Sequence, residues 1–195
     1  EMHCDRISAG VHSTELMASE AIRYLENYTE EKPFYLQVSF LAPHDPRTMP
    51  DKYKNMYRPV ELTLPPDFSE EFDVDFGIGS MRDEVLAGYP RSESEIRQHL
   101  ADYYAMISHV DDAVGRILSA LERSGKLENT IIVYAADNGL AVGSHGFMGK
   151  QNLYEDSVRV PLIISGSGIP EGKTVDQYVY LSDIFPTLCQ LCDVE

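Results

Sequence analysis

The sequence predicts an α/β fold in which a largely parallel sheet is flanked by helices. Apolar runs of strand length occur at residues 34–40, 130–136 and 160–164, and amphipathic runs of helical spacing alternate with them. The 195 residues have the length of one domain, and neither a repeat nor a linker divides them. We therefore expect residues 1–195 to form a single domain.

The first predicted helix covers residues 13–31 and is followed directly by a strand. Ser13 is a candidate N-cap, and apolar residues then recur at helical spacing. Lys32 and Pro33 end the pattern, because a proline disfavours helical backbone in the residue before it. The run 34–40 is rich in aromatic and β-branched residues, which is typical of a strand.

The second predicted helix starts at a capping box and is the longest of the chain. Ser92 lies three residues before Glu95, and apolar residues keep helical spacing from there to about Arg123. Gly125 is the expected C-terminal signal. His109, Asp111 and Asp112 lie on this helix, and we favour helix-surface positions over a metal site for them.

The third part of the chain continues the alternation. Residues 130–136 predict a strand buried on both faces, 153–159 a short helix or turn, and 160–164 another buried strand. Residues 165–168 favour a turn, and 174–180 a short strand. Ser182 and Asp183 are candidate caps of a last apolar helix, which carries Cys189 and Cys192 as small buried residues rather than as a redox or metal pair.

Composition excludes several classes of protein. The formal net charge of −16 argues against a nucleic-acid partner, which requires a basic face. A run of about 18 apolar residues, as a membrane-spanning helix needs, is not found. Three cysteines are too few for a disulfide framework. The first residues do not read as a signal peptide, but a chain that begins with Glu1 leaves the compartment open.

A candidate metal site follows the strand 130–136. In open α/β sheets, ligands bind beyond the carboxyl ends of the strands, and Asp137 and Asn138 stand at that position. Carboxylate and amide oxygens suit Ca²⁺ or Mg²⁺ better than Zn²⁺, although Ca²⁺ needs about six to eight ligands. The alternative is that Asp137, Asn138 and Gly139 simply form a turn.

Cationic side chains close to this position predict an anionic substrate. Lys150 lies in the Gly-rich loop after the strand, and His44 lies between two prolines after the first strand. Together they would hold a tetrahedral oxyanion, and His145 is a further candidate. A solvated turn is the alternative for His44. The long excursion 48–92 is predicted to run over the surface and to shape substrate access. Its acidic cluster is predicted to be a solvated face and consists of Asp67, Glu70, Glu71, Asp73 and Asp75.

Taken together, these residues resemble the type I sulfatases, the arylsulfatase-like branch of the alkaline phosphatase superfamily. The resemblance covers about residues 13–192. Its carriers, in family order, are A-P-H-D-P at 42–46, Y-A-M-I-S-H-V-D at 104–111, A-D-N-G at 136–139, G-K at 149–150, R-V-P-L at 159–162 and D-I-F-P-T-L at 183–188.

The resemblance implies a role for each candidate residue. Asp137 and Asn138 would be ligands of an active-site Ca²⁺, with Mg²⁺ as an alternative. Lys150 would contact the sulfate and the bridging ester oxygen, and His44 would protonate or steady the leaving alcohol. His145 matches a looser position as a substrate contact. The substrate would be a sulfated small molecule or a sulfated carbohydrate, with Arg47 as a candidate specificity residue.

One departure from the family matters. Type I sulfatases use a formylglycine made in a C-x-P-x-R or S-x-P-x-R motif, and residues 4–8 (C-D-R-I-S) do not fit it. We therefore expect an alkaline-phosphatase-like fold that is incomplete on its N-terminal side, and a fragment that is inactive alone. Alternatives are a phosphodiesterase or phosphonate monoester hydrolase of the same superfamily, or a non-catalytic anion-binding module. The oligomeric state stays open.

Overall fold

The computed structural model describes residues 10–194 of the chain as an α/β arrangement of helices and a small sheet. Helices are α1 (Ser13–Asn27), α2 (Asp51–Lys54), α3 (Glu93–Arg123), α4 (Glu155–Val158) and α5 (Ile184–Leu191); strands are β1 (Ile132–Ala135) and β2 (Leu162–Ser165). Four 3₁₀ turns lie at Pro59–Glu61, Glu84–Leu86, Leu127–Asn129 and Leu181–Asp183. None of the helices in this described part has both the length and the apolar character needed to cross a membrane.

Helix α3 is the scaffold, and its predicted start and end are confirmed. The Ser92 side chain accepts the Glu95 N–H at 3.4 Å, and the helix ends at Arg123 before Gly125, whose φ is +71°. The Glu95 side chain does not close the capping box. It accepts instead from the Gly88 N–H at 3.1 Å and thereby holds the excursion against the helix.

Helix α1 packs on the C-terminal half of α3, and its predicted bounds need correction. It ends at Asn27 rather than at residue 31, and its cap is His12, whose Nδ1 accepts the Thr14 N–H at 3.2 Å. Ser13 is the first helical residue, not the N-cap. The interface is apolar, with Leu25 of α1 buried against Ala120 and Leu121 of α3.

The sheet differs from the prediction. β1 and β2 pair antiparallel, with Ile132 opposite Ser165 and Ala135 opposite Leu162, and they are the only strands that residues 10–194 form. The segment that connects them contains only the four-residue α4 and returns the chain in the opposite direction, whereas a parallel pair needs a full crossover. Burial on both faces was also wrong, because Tyr134 and Ile163 are 40% and 59% exposed.

Two predicted strands are present only as unpaired backbone. Residues 34–40 form no strand, although their side chains alternate between half-buried and exposed, as those of a strand do. Phe34 and Leu36 pack against the α1–α3 core. Residues 174–180 form no strand either, and their side chains are exposed. Both strand predictions were therefore wrong for the described part of the chain, where a strand also requires a hydrogen-bonded partner.

Other corrections concern side chains that were expected on surfaces or in the core. His109 is fully buried, with its Nε2 at 2.8 Å from Glu15 Oε1 and its ring stacked on Tyr53 at 4.5 Å. It therefore ties α3 to α1 and α2 instead of facing solvent. Cys189 is half-buried and Cys192 is exposed at the end of α5, and both are free thiols.

The excursion 48–92 contributes to the core rather than only covering it. A buried cluster joins Ala87 to Ile96 and Leu100 of α3 and to Val142 and Met148 of the later loop, with Leu62, Leu64 and Phe68 packed against it. The excursion is therefore fixed between α3 and the loop 140–150. This placement brings excursion side chains to the loop of His44 and to the loop of Lys150.

Candidate functional site

Asp137 and Asn138 follow the end of β1, as predicted. Asp137 is exposed, and its Oδ1 accepts the Asn138 N–H at 3.0 Å; the Asn138 Nδ2 donates to the Gly139 carbonyl at 2.7 Å. A Cβ on Gly139 would lie 2.0 Å from the Asp156 carbonyl oxygen, so only glycine fits there. An exposed carboxylate beside an amide is a donor pair that suits a hard cation, although it supplies only part of a Ca²⁺ shell.

His44 is exposed at a loop edge, and its contacts identify its tautomer. The Nδ1 lies 2.9 Å from the Asp45 carbonyl oxygen and 3.0 Å from Asp45 Oδ1, while Arg82 Nη2 lies 3.2 Å from Nε2. Because a guanidinium can only donate, Nε2 is the acceptor and the neutral ring carries its proton on Nδ1. Asp45 therefore holds the ring with Nδ1 as the donor and Nε2 as the acceptor.

The next site element was missed in the sequence, and it comes from the excursion. Arg82 Nη2 contacts Asp83 Oδ1 at 2.6 Å as well as His44, and Asp83 Oδ2 accepts from Gln151 Nε2 at 2.9 Å. Gln151 is the neighbour of Lys150, so Arg82 and Asp83 link the His44 loop to the Lys150 loop. The adjacent opposite charges of Arg82 and Asp83 are the only sequence signal for this element.

The electrostatics of Asp83 indicate a cationic surrounding. Burial opposes ionisation of this 3% exposed residue, yet hydrogen bonds from Gln151 and Arg82 and the charges of Arg82 and Lys150 outweigh it and lower the pKa of Asp83. Asp83 is therefore ionised at neutral pH.

His145 is occupied elsewhere. Its Nε2 lies 2.9 Å from Asp67 Oδ2 and its Nδ1 lies 2.7 Å from Asp73 Oδ2, and its ring stacks on Tyr154 at 3.7 Å. The φ of His145 is +52°, a left-handed backbone that these contacts hold. Asp67 and Asp73 were predicted as solvated acids, and they instead fasten the excursion to the loop. The structure therefore links the loops of His44 and Lys150 through Arg82, Asp83 and Gln151, whereas His145 belongs to a separate cluster.

A second group of side chains has metal-ligand character. One ligand atom each of Asp67, His145 and Asp156 lies within 4.8 Å of the others. His145 already directs Nε2 at Asp67 and Nδ1 at Asp73, so a cation there would have to replace an existing ion pair. Among the described residues, Asp137 forms no ion pair that a cation would have to replace. Residues 4–8, where we sought the nucleophile motif, lie outside the described residues.

Known proteins resemble this chain over most of its length. The family model described as Sulfatase matches residues 2–194. The chain belongs to the sulfatase family. The chain is 33% identical over 190 residues to an arylsulfatase of Clostridium perfringens, a match that covers 94% of the chain and 39% of that relative. It thus spans well under half the length of this curated relative.

Solved structures share the fold. The phosphonate monoester hydrolase of Agrobacterium radiobacter superposes with a TM-score of 0.77 at 27% identity, over 93% of this chain and 39% of that one. A second structure, which contains the substrate D-glucosamine-2-N,6-O-disulfate, superposes with a TM-score of 0.78 at 24% identity, over 94% and 49% of the two chains. The sulfatase, alkaline-phosphatase-like fold predicted for the chain is thereby supported, apart from the parallel pairing.

Proposed function

We propose that this chain forms part of the catalytic domain of a sulfuric ester hydrolase. His44 and Lys150 contact the sulfate and the leaving group, and Asp137 and Asn138 hold the metal. The observation that carries the proposal is the series of contacts from His44 through Arg82 and Asp83 to Gln151, the neighbour of Lys150, which links the two loops on a protein of net charge −16. A sulfate ester needs such local positive charge.

The two predicted catalytic residues have different tasks. Lys150 donates to a sulfate oxygen and to the bridging ester oxygen, where negative charge develops as the S–O bond breaks. When the substrate replaces Arg82 at Nε2, His44 in its protonated form gives the Nε2 proton to the leaving alkoxide, which departs as an alcohol. Asp45 Oδ1, 3.0 Å from Nδ1, orients the ring and stabilises the imidazolium before the transfer.

Asp137 and Asn138 would hold Ca²⁺, with Mg²⁺ as an alternative. When bound, the ion would offset the charge of the sulfate. The remaining ligands and the formylglycine nucleophile are expected outside this chain, so the isolated 195-residue chain is expected to show no turnover. His145 is a weaker candidate than the sequence indicated, because Asp67 and Asp73 occupy both of its nitrogens.

The proposed substrate is a sulfated small molecule or a sulfated carbohydrate. The sugar disulfate bound by one structural neighbour supports the carbohydrate. Arg47 no longer supports a specificity role, because it is half-buried and hydrogen-bonded to His99. The phosphonate monoester hydrolase neighbour supports a second candidate, hydrolysis of a phosphonate monoester. A third, an anion-binding module without turnover, rests on the same cations.

The test uses the polypeptide as its natural source makes it. Turnover of 4-nitrophenyl sulfate is compared with turnover of a 4-nitrophenyl phosphonate monoester. We expect the sulfate ester to react faster, and Lys150→Met and His44→Gln each to lower kcat/KM by about 10² or more. Lys126→Met is the matched control, since Lys126 lies in the turn after α3, and its activity should be unchanged. Faster phosphonate cleavage would favour the second candidate, and binding of sulfate without any turnover the third.

A further inference from the structure

A buried ion pair that has no role in the proposed chemistry contacts the loop that carries Lys150. Arg91 Nη2 and Glu84 Oε2 are 2.7 Å apart, and their side chains are 1% and 0% exposed. Both residues belong to the excursion, Glu84 in a 3₁₀ turn and Arg91 just before α3. Such complete burial of opposite charges is uncommon unless hydrogen bonds satisfy both groups.

Arg91 is satisfied by backbone carbonyl groups. Its Nε donates to the Gly146 carbonyl at 2.8 Å, and its Nη1 donates to the carbonyls of Glu84 and Ala87, each at 2.9 Å. The guanidinium thus holds one point of the later loop, at Gly146, against the excursion. Its remaining nitrogen holds the Glu84 carboxylate in place.

Glu84 holds the same loop at the two residues immediately before Lys150. Its Oε2 accepts the Met148 N–H and its Oε1 accepts the Gly149 N–H, both at 2.8 Å. A Cβ on Gly149 would lie 2.9 Å from Glu84 Oε1 and 2.9 Å from the Asp83 Cβ. The absence of a side chain therefore lets the backbone approach the carboxylate closely enough for both hydrogen bonds.

The stability of the fold gives a weak reason for such a pair. A buried ion pair is often no more stabilising than apolar residues of similar volume, because desolvation offsets the attraction. What it supplies here is a fixed position, since one carboxylate holds two consecutive N–H groups. A lysine amine moves on a flexible four-carbon stem. The region that the amine can reach is therefore set by the position of the lysine backbone.

We propose that Glu84, held by Arg91, is a positioning residue for Lys150. Its carboxylate fixes the peptide groups of Met148 and Gly149 and thereby sets the point from which the Lys150 amine reaches the sulfate. This inference rests on the proposed function. It adds that the anion affinity of Lys150 depends on a buried pair that itself does not touch the substrate.

The experiment replaces the pair by apolar residues of similar volume, Glu84→Leu with Arg91→Met, in the polypeptide as its natural source makes it. Two quantities are measured by mass spectrometry: hydrogen exchange of the 146–150 segment, and acetylation of Lys150 with and without inorganic sulfate. We expect exchange of the segment to accelerate by about 10² while that of α3 is unchanged. Sulfate protection of Lys150 should fall by about tenfold or more, since a displacement near 1 Å is costly in a positioned site.

The control and the contradicting results are as follows. Arg58→Met with Glu61→Leu removes an ion pair of the same excursion whose side chains are 72% and 60% exposed, and it should change neither quantity. If the apolar variant does not fold, Glu84→Gln, which keeps one accepting oxygen, takes its place. Unchanged sulfate protection in a folded variant, or failure of both variants to fold, would overturn the positioning role.

The proposed function and the positioning role fail in distinguishable ways. If the unaltered protein shows no sulfate protection of Lys150, the proposed function is contradicted. The positioning claim is then judged by the acetylation rate without sulfate, which should rise about threefold or more because a loosened 148–150 backbone exposes the half-buried lysine to the reagent more often. An unchanged rate together with faster exchange would reduce the pair to a structural role.

Discussion

The strongest stability effect is expected from Arg91→Met. Methionine is similar in volume but removes every donor of the buried guanidinium, so the Glu84 carboxylate is left in the interior without a cation. Breaking such a pair from one side costs about 3–5 kcal/mol. The carbonyl groups of Gly146 and Ala87 also lose their donors, so we expect a value in the upper half of that range.

The double-mutant cycle turns this expectation into a test. Glu84→Leu with Arg91→Met removes the unpaired charge, and its unfolding free energy should lie closer to that of the unaltered protein than Arg91→Met does. Urea denaturation measures all variants, and Arg58→Met at the exposed pair is the control. The reasoning is refuted if Arg91→Met costs less than about 1 kcal/mol, or if the double variant is less stable than the single one.

Three further predictions follow. Gly149→Ala should destabilise the fold by about 1–3 kcal/mol, because its Cβ would lie 2.9 Å from the Asp83 Cβ. The control is Gly115→Ala in α3, where nothing lies within 4 Å of the new Cβ. It should stabilise the fold by about 0.5–1 kcal/mol in the same urea denaturation. Burial raises the pKa of Asp83, but the hydrogen bonds and charges around it outweigh burial and lower the pKa. The contribution of Asp83 to stability is therefore present above about pH 4 and is lost as the pH falls through the lowered pKa. Asp83→Asn should weaken the fall of the unfolding free energy in acid. Burial and the charge of Arg47 lower the pKa of His99. The contribution of the neutral His99 to stability is therefore present above about pH 6.5 and is lost at lower pH. His99→Gln should reduce the change of the unfolding free energy between about pH 5 and 7.

Local signals were sufficient for the elements that depend on their own sequence. Ser92 and Gly125 mark the ends of α3, because a cap and a left-handed glycine act through the neighbouring backbone. Helices α4 and α5 were also predicted, although neither begins with a hydrogen bond from a capping side chain. The position of Asp137 after β1 needed only the end of an apolar run.

The failures concern contacts between distant residues. Residues 34–40 alternate correctly, but a strand is defined by a partner, and periodicity does not identify one. His145 pairs with Asp73, 72 residues away, and Glu84 reaches Met148 over 64 residues. Such pairs depend on how the excursion packs against the later loop. The sequence therefore predicted the acidic residues of the excursion as a solvated face and gave no signal for Glu84.

The most direct test of the central claim is a crystal structure of the natural polypeptide grown with Ca²⁺ and selenate, in which anomalous scattering locates both. We predict selenate oxygens within hydrogen-bond distance of Lys150 Nζ and His44 Nε2, with the metal at Asp137 and Asn138. A metal held by Asp67, His145 and Asp156 instead, with selenate away from Lys150, would contradict the account.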